Sequence, residues 1–340
     1  MVVSVVLLVL RALGAVLGAA MRRLVRGPLV AGWGWGVELR RAAFRAAVES
    51  AMRSPRLRQW SDVEIEAPLP WRLRSRIQVD RAVVGGVPGE WLRPRAADPD
   101  APVLLYFHGG GYVVGHPSTE RPFIVRVADA VRARCFSVDY RLAPRHPFPA
   151  AVDDAFDVYR GLLDEGVDPS RLVVVGDSAG GGLAAALVLR LLDEGARPPA
   201  GAVLFSPWLD LTLSGATIET NAATDYLPRP AGRAVSLYLG DADPRSRYVS
   251  PVFADLTGLP PMLVLAGGVE MLLADSTRFA ARAVEAGVDV TLHIEADMYH
   301  VWPAVLPRHP TTRRTIDLVA AWVRSLVGAA GSAGIPGAAR

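Results

Sequence analysis

Two short glycine-bearing segments carry the residues best suited to chemistry. In Gly176-Asp177-Ser178-Ala179-Gly180 a hydroxyl sits between glycines, with an apolar run at 172–175 before it and an alanine-rich stretch after it. That context predicts a tight strand-to-helix turn that holds the Ser178 hydroxyl clear of the sheet, the glycines relieving the crowding such a turn creates. The start of the following helix also favours developing negative charge. The second segment, His108-Gly109-Gly110-Gly111-Tyr112, follows the apolar run 103–107 and precedes the serine. Without Cβ atoms in the way, the N–H groups of Gly109 and Gly110, joined by that of Ala179, are the expected donors to a tetrahedral oxyanion. The chemistry implied is acyl transfer.

A serine hydroxyl is a weak nucleophile at neutral pH and needs a base beside it. The chain has histidines at 108, 116, 146, 293, 300 and 309. His300 follows the apolar run 290–294 in the segment Asp297-Met298-Tyr299-His300, where a loop at a strand's carboxyl end returns it to the serine. His293 falls within that run, and His309 stands at the start of the next helix. The chain order serine, acid, histidine places the orienting acid in the loop after 262–266, which reads Gly267-Gly268-Val269-Glu270-Met271-Leu272-Leu273-Ala274-Asp275. Glu270 is nearest the strand end and is the expected acid. Asp275 is the alternative, read otherwise as a cap of the next helix.

The elements that must position these groups show as an alternation. Apolar, β-branched runs at 103–107, 135–139, 172–176, 202–206, 262–266 and 290–294 read as strands. Helix-like stretches at 119–133, 150–165, 178–194, 273–287 and 312–327 lie between or after them. This predicts an α/β fold with a mostly parallel central sheet and helices on both faces. Residues 76–327 are the expected catalytic domain, with an insertion at about 206–240 that adds to a helical cap. The small-residue-rich segment 328–340 is the expected flexible tail.

Composition narrows the alternatives. At 340 residues with 51% hydrophobic and 21% charged residues, the chain can bury a large core. Its one cysteine, Cys135, excludes an intramolecular disulfide and reads as a packed strand residue. There is no HExxH, cysteine pair, P-loop or dinucleotide fingerprint, so no metal or cofactor is expected. Charge is uneven: residues 1–60 carry a net +8 against +3 for the whole chain. Residues 1–21 are almost wholly apolar, and Arg22, Arg23 and Arg26 follow. With no basic residue ahead of the apolar run, a secretory signal is disfavoured and a cytoplasmic body is expected. Residues 1–26 are open to four readings: a membrane span, contact with a membrane surface, a helix covering the active-site mouth, or a mis-called start codon. Nothing resembles a nucleic-acid reading module.

Taken together, the chain resembles the hormone-sensitive-lipase-like family of bacterial esterases over residues 76–327. The motifs that carry the resemblance are HGGGY at 108–112, DYRLAP at 139–144, HPFPAAVDDA at 146–155, GDSAGG at 176–181 and SPWLDL at 206–211, with the segment from Glu270 to His300. The resemblance implies an α/β-hydrolase fold with a cap built from residues 1–75 and the later insertion. It also implies hydrolysis of short- to medium-chain acyl esters without a cofactor, through Ser178, His300 and the acid. Tyr140 and Asp153 are implied to be structural. Glu270 stands where the family has aspartate; Arg145 and His116 also depart from its pattern and are expected near the active-site mouth. An amidase or peptidase on the same fold, or a silent ligand-binding relative, are the competing functions.

Overall fold

The computed structural model describes residues 2–53, 69, 71–95, 101–228 and 232–332. Two helices come first, α1 (Val2–Arg26) and α2 (Trp35–Arg53), then a single turn, α3 (Trp71–Arg74). A hairpin follows, β1 (Ile77–Val84) and β2 (Val87–Pro94), joined by Gly85 and Gly86. Both glycines have positive φ, as a two-residue hairpin turn whose twist matches its strands requires. The alternation above does not include these two strands. The exposed and half-buried polar positions of β1 break up its apolar signal, and the Gly-Gly pair is the cue that marks them.

From there strands and helices alternate: β3 (Val103–Phe107), α4 (Pro117–Val131), β4 (Arg134–Val138), α5 (Ala150–Asp164), β5 (Leu172–Asp177), α6 (Ala179–Asp193) and β6 (Gly201–Phe205). Short helices α7 (Thr217–Thr220) and α8 (Gly232–Leu239) occupy the connection to β7 (Met262–Gly267). The chain closes with α9 (Leu273–Glu285), β8 (Val290–Glu295), α10 (Trp302–Val305) and α11 (Pro310–Ser332). Helix α11 runs past 328, so the segment expected as a tail starts as helix; residues 333–340 lie outside the described residues.

The eight strands among the described residues form one sheet in the order β1-β2-β4-β3-β5-β6-β7-β8. β2 pairs antiparallel with β1 and β4, and the remaining pairs are parallel. Successive side chains on a strand point to opposite faces, which gives the sheet two cores. Leu105, Phe107, Val174, Leu204 and Val264 face α5, α6 and α9. Leu104, Tyr106, Val173, Val175, Val203, Phe205 and Leu263 face α4 and α11. Complete burial of each such side chain contributes about 1.5–3 kcal/mol, and burial on both faces explains why the strands read as continuous apolar runs.

The N-terminal helices dock beside the carboxyl ends of the strands. Arg23 bonds Glu38 at 2.5 Å, with Arg22 on the same carboxylate, and so ties α1 to α2. Arg41 and Arg45 of α2 donate to the carbonyls of Ala223 (2.8 Å) and Ala222 (2.7 Å), and both reach that of Asp225 at 3.2 Å. Trp33 packs edge-on against Tyr299, centroids 5.5 Å apart, and its indole N–H donates to the Asp297 carbonyl. Part of the expected cap, residues 54–68 and 229–231, lies outside the described residues.

Candidate active site

Ser178 ends β5 and opens α6 with φ 53° and ψ −120°, a left-handed backbone that an L-residue adopts at a cost of about 1–3 kcal/mol. Three bonds hold it there. Its N–H donates to the Phe205 carbonyl (2.9 Å), and its carbonyl accepts from Gly182 (3.1 Å) and Trp208 (2.9 Å). The flanking glycines have a steric reason: a Cβ at Gly176 would strike the Gly180 carbonyl, and one at Gly180 would strike that of Phe107.

His300 stands in the loop after β8, and its Nε2 lies 2.8 Å from the Ser178 Oγ. Burial pushes its pKa down to about 3, so the ring is a neutral proton acceptor. Glu270 is completely buried in the loop after β7. Its Oε2 accepts from the Ser206 hydroxyl (2.6 Å) and the Gly267 N–H (2.9 Å). Its Oε1 and the His300 Nδ1 are both buried with no hydrogen-bond partner among the described residues. Burial, and then the charge of Asp225, hold the Glu270 pKa well above the usual carboxylate range.

Asp275 faces elsewhere. It is the third residue of α9, whose N-cap position is Leu272 and carries no side-chain cap bond, so the expected capping role is corrected. Its Oδ2 instead accepts from the backbone of Leu209 (3.0 Å) and Asp210 (2.9 Å), pinning the loop after β6.

Two residues to which the sequence assigned no role join these loops. Asp225, fully buried, accepts from the N–H groups of Met271 and Tyr226 (both 2.7 Å) and at 3.4 Å from that of His300. It therefore links the acid loop to the histidine loop. Ser206, with φ 47°, donates to Glu270 while accepting from the Val301 N–H at 3.0 Å. Ser206 was visible only as the first letter of SPWLDL, and no local pattern marks Asp225.

The glycine loop departs from expectation at one position. The Gly109 N–H donates to Asp177 Oδ1 at 3.0 Å, the oxygen that also accepts from the Tyr106 hydroxyl at 2.5 Å. It is thus engaged within the protein rather than offered to a substrate. Gly110 and Gly111 have φ of 117° and 64°, and the Gly110 carbonyl accepts from Val113 and Val114. A Cβ on Gly110 would collide with the Val114 carbonyl, so the turn admits glycine alone. Tyr140 supports the loop by stacking on His108 at 4.4 Å and donating to its carbonyl at 2.6 Å. Asp153 accepts from Arg190 at 2.6 Å, away from the serine.

These groups surround a cavity of about 420 Å³ whose wall is mainly apolar, with Phe44 and Val48 from α2, and Trp208, Tyr226, Leu272 and Val305. His116 and Arg145, expected at its mouth, do not line it. His116 caps α4 and lies 3.6 Å from Asp139, beside a second cavity, and Arg145 is exposed. His293 and His309 also lie outside it. His293 is 3.3 Å from Glu295, and His309 accepts from Thr311 N–H. Among the described residues, no group of three His, Cys, Asp or Glu is placed to hold a metal ion.

Known proteins share this architecture. Residues 104–304 match the model of a family with the α/β-hydrolase fold. An acetyl-hydrolase of Streptomyces hygroscopicus is 41% identical over 251 residues, covering 73% of this chain and 83% of that protein. An esterase of Acinetobacter venetianus is 36% identical over 253 residues, covering 74% and 83%. The crystal structure of an esterase from the bacterial hormone-sensitive lipase family superposes with a TM-score of 0.75 at 37% identity, covering 93% of this chain and 98% of that one.

Proposed function

Since this chain belongs to the α/β-hydrolase family and is a carboxylic-ester hydrolase of its hormone-sensitive-lipase-like branch, we propose that it cleaves short- to medium-chain acyl esters through a serine acyl-enzyme. The observation that carries this is the 2.8 Å contact between Ser178 Oγ and His300 Nε2 on the wall of an apolar cavity. His300 takes the hydroxyl proton as Ser178 attacks the ester carbonyl, then gives it to the departing alcohol. Water repeats the sequence to release the acid. The oxyanion falls to the N–H groups of Gly110 and Ala179, because that of Gly109 is engaged by Asp177. Glu270 is the acid of the triad: its bare Oε1 and the bare Nδ1 of His300 are complementary, and their approach would satisfy two buried atoms at once.

The cavity sits toward the lower end of the roughly 300–1,000 Å³ typical of small-molecule sites, which suits short acyl groups better than long ones. Across p-nitrophenyl esters from acetyl to palmitoyl, kcat/KM should peak between acetyl and octanoyl and fall by about tenfold or more at palmitoyl, since one methylene is worth about 1–3 kcal/mol of fit. A profile still rising at palmitoyl would overturn the chain-length assignment.

We further propose that α1 touches a membrane surface without crossing it. Among the described residues no helix is long and apolar enough to span. Yet Leu10, Leu13, Leu17, Met21, Leu24 and Val25 lie exposed along α1, three of them at 66%, 70% and 77% for Leu17, Leu24 and Val25. Their three- and four-residue spacing makes a stripe on the face turned away from α2, the arrangement of an interfacial helix. The basic cluster contributes less than the sequence suggested, because Arg22 and Arg23 hold Glu38; Arg11 and Arg26 remain exposed. Because those ion pairs tie α1 to α2, substitution is a cleaner test than deletion. Leu13→Gln, Leu17→Gln and Met21→Gln together should cut cosedimentation with phosphatidylglycerol vesicles by about tenfold while esterase activity in solution persists. Equal recovery of both proteins in the supernatant would leave α1 as a cap element only.

A further inference from the structure

Glu120 is a charged side chain in the cavity wall that the proposed mechanism leaves unused. It lies in the first turn of α4 and lines the cavity together with Ser178, His300, Gly110, Thr119 and Phe123. Three polar residues close to it in the chain or in the cavity wall are engaged elsewhere. The Thr119 hydroxyl donates to the His116 carbonyl at 2.7 Å, and Arg121 pairs with Glu90 through bonds of 2.9 and 2.5 Å. Asp177 Oδ1 accepts from both Tyr106 and Gly109. Among the described residues no hydrogen bond or ion pair reaches the Glu120 carboxyl. Glu120 is half-buried, and a carboxyl partly withdrawn from water without a protein partner gains by meeting an incoming substrate group of matching polarity.

We propose, building on the esterase reading above, that Glu120 is a specificity-determining residue that hydrogen-bonds a hydroxyl on the substrate, so that acyl esters of polyols are favoured over those of simple alkanols. Partial burial, reinforced by the nearby charge of Asp177, pushes the Glu120 pKa up, which favours the carboxylic acid form. In that form its O–H donates to the substrate hydroxyl oxygen and its carbonyl oxygen accepts the substrate O–H. A neutral acid offers little to a cation, which favours a hydroxylated partner over an ammonium ester. A site built to pair with a hydroxyl discriminates against the analogue that lacks it, because its own polar group is then left bare.

The test compares glycerol monobutyrate, ethyl butyrate and choline butyrate on the wild-type protein and on Glu120→Leu and Glu120→Gln. The quantity read is the ratio of kcat/KM for each ester to that for ethyl butyrate. We expect the glycerol ratio to fall by about tenfold in Glu120→Leu and to be largely kept in Glu120→Gln, whose amide retains a donor and an acceptor. A glycerol ratio unchanged by Glu120→Leu would overturn the proposal, and so would a fall confined to the choline ratio, which would assign a cation site. Absence of any ester cleavage by wild-type protein would refute the esterase reading itself, so the two failures are separable.

Discussion

Ser178→Ala is expected to lower kcat by roughly 10⁴–10⁶-fold, the scale on which loss of a triad nucleophile acts, with little change in fold. In the proposed mechanism the hydroxyl supplies the covalent step, while the backbone that shapes the elbow does not depend on it. The bonds from Ser178 N–H to Phe205 and from Gly182 and Trp208 to its carbonyl all survive the substitution. Alanine bears the same positive φ as serine, so the turn is neither relieved nor further strained. His300→Ala should be comparably severe, and the double variant little worse than either, because nucleophile and base act as a unit. Steady-state turnover, labelling by a fluorophosphonate probe and circular dichroism together decide the matter. Turnover above about a tenth of wild type in Ser178→Ala would remove Ser178 from the mechanism.

Glu270→Gln carries the second large effect, a loss of roughly 10²–10⁴-fold in kcat. Two donors, Ser206 Oγ and the Gly267 N–H, converge on Oε2, so the glutamine carbonyl oxygen is drawn to that position. The amide nitrogen then takes the place of Oε1. In the proposed triad it would donate to His300 Nδ1, forcing the ring proton onto Nε2, where it blocks acceptance of the serine proton. Asp275→Asn should act mainly on stability, by about 1–3 kcal/mol, since it weakens the acceptor for the Leu209 and Asp210 amides. Its turnover should stay within about tenfold of wild type. Paired melting and kinetic measurements separate the two. The reverse ranking would transfer the acid's role to Asp275, and near-normal turnover in both would point to Asp225, whose Oδ1 reaches the His300 N–H.

What could be read before folding was what depends on a few adjacent residues. A serine held at positive φ between β5 and α6 needs glycines two residues to either side, and those glycines are present at 176 and 180. A sheet buried on both faces needs continuous apolar runs, and β3, β5, β6 and β7 are such runs. β1 was less visible because, at the edge, its half-polar pattern follows solvent rather than core. The histidine was legible from its place after the last strand, since chain order and a strand's carboxyl end are both properties of the linear sequence.

The sequence by itself thus determined the fold class, the elbow around Ser178, the glycine turn at 109–111 and the place of His300 in the loop after the last strand. Tertiary structure alone decided which hydrogen-bonding groups meet. It turned the Gly109 N–H toward Asp177, 68 positions away, and Asp275 toward the amides at 209 and 210. It brought Asp225 beneath the histidine loop, with α2 anchored on the carbonyls at 222, 223 and 225. It also placed Glu120 in the mainly apolar cavity wall. The physical reason is the range of the forces involved. Backbone conformation and apolar periodicity are set by neighbours along the chain, whereas a hydrogen bond is decided within about 3 Å by loops whose relative position exists only once the sheet and its helices have packed.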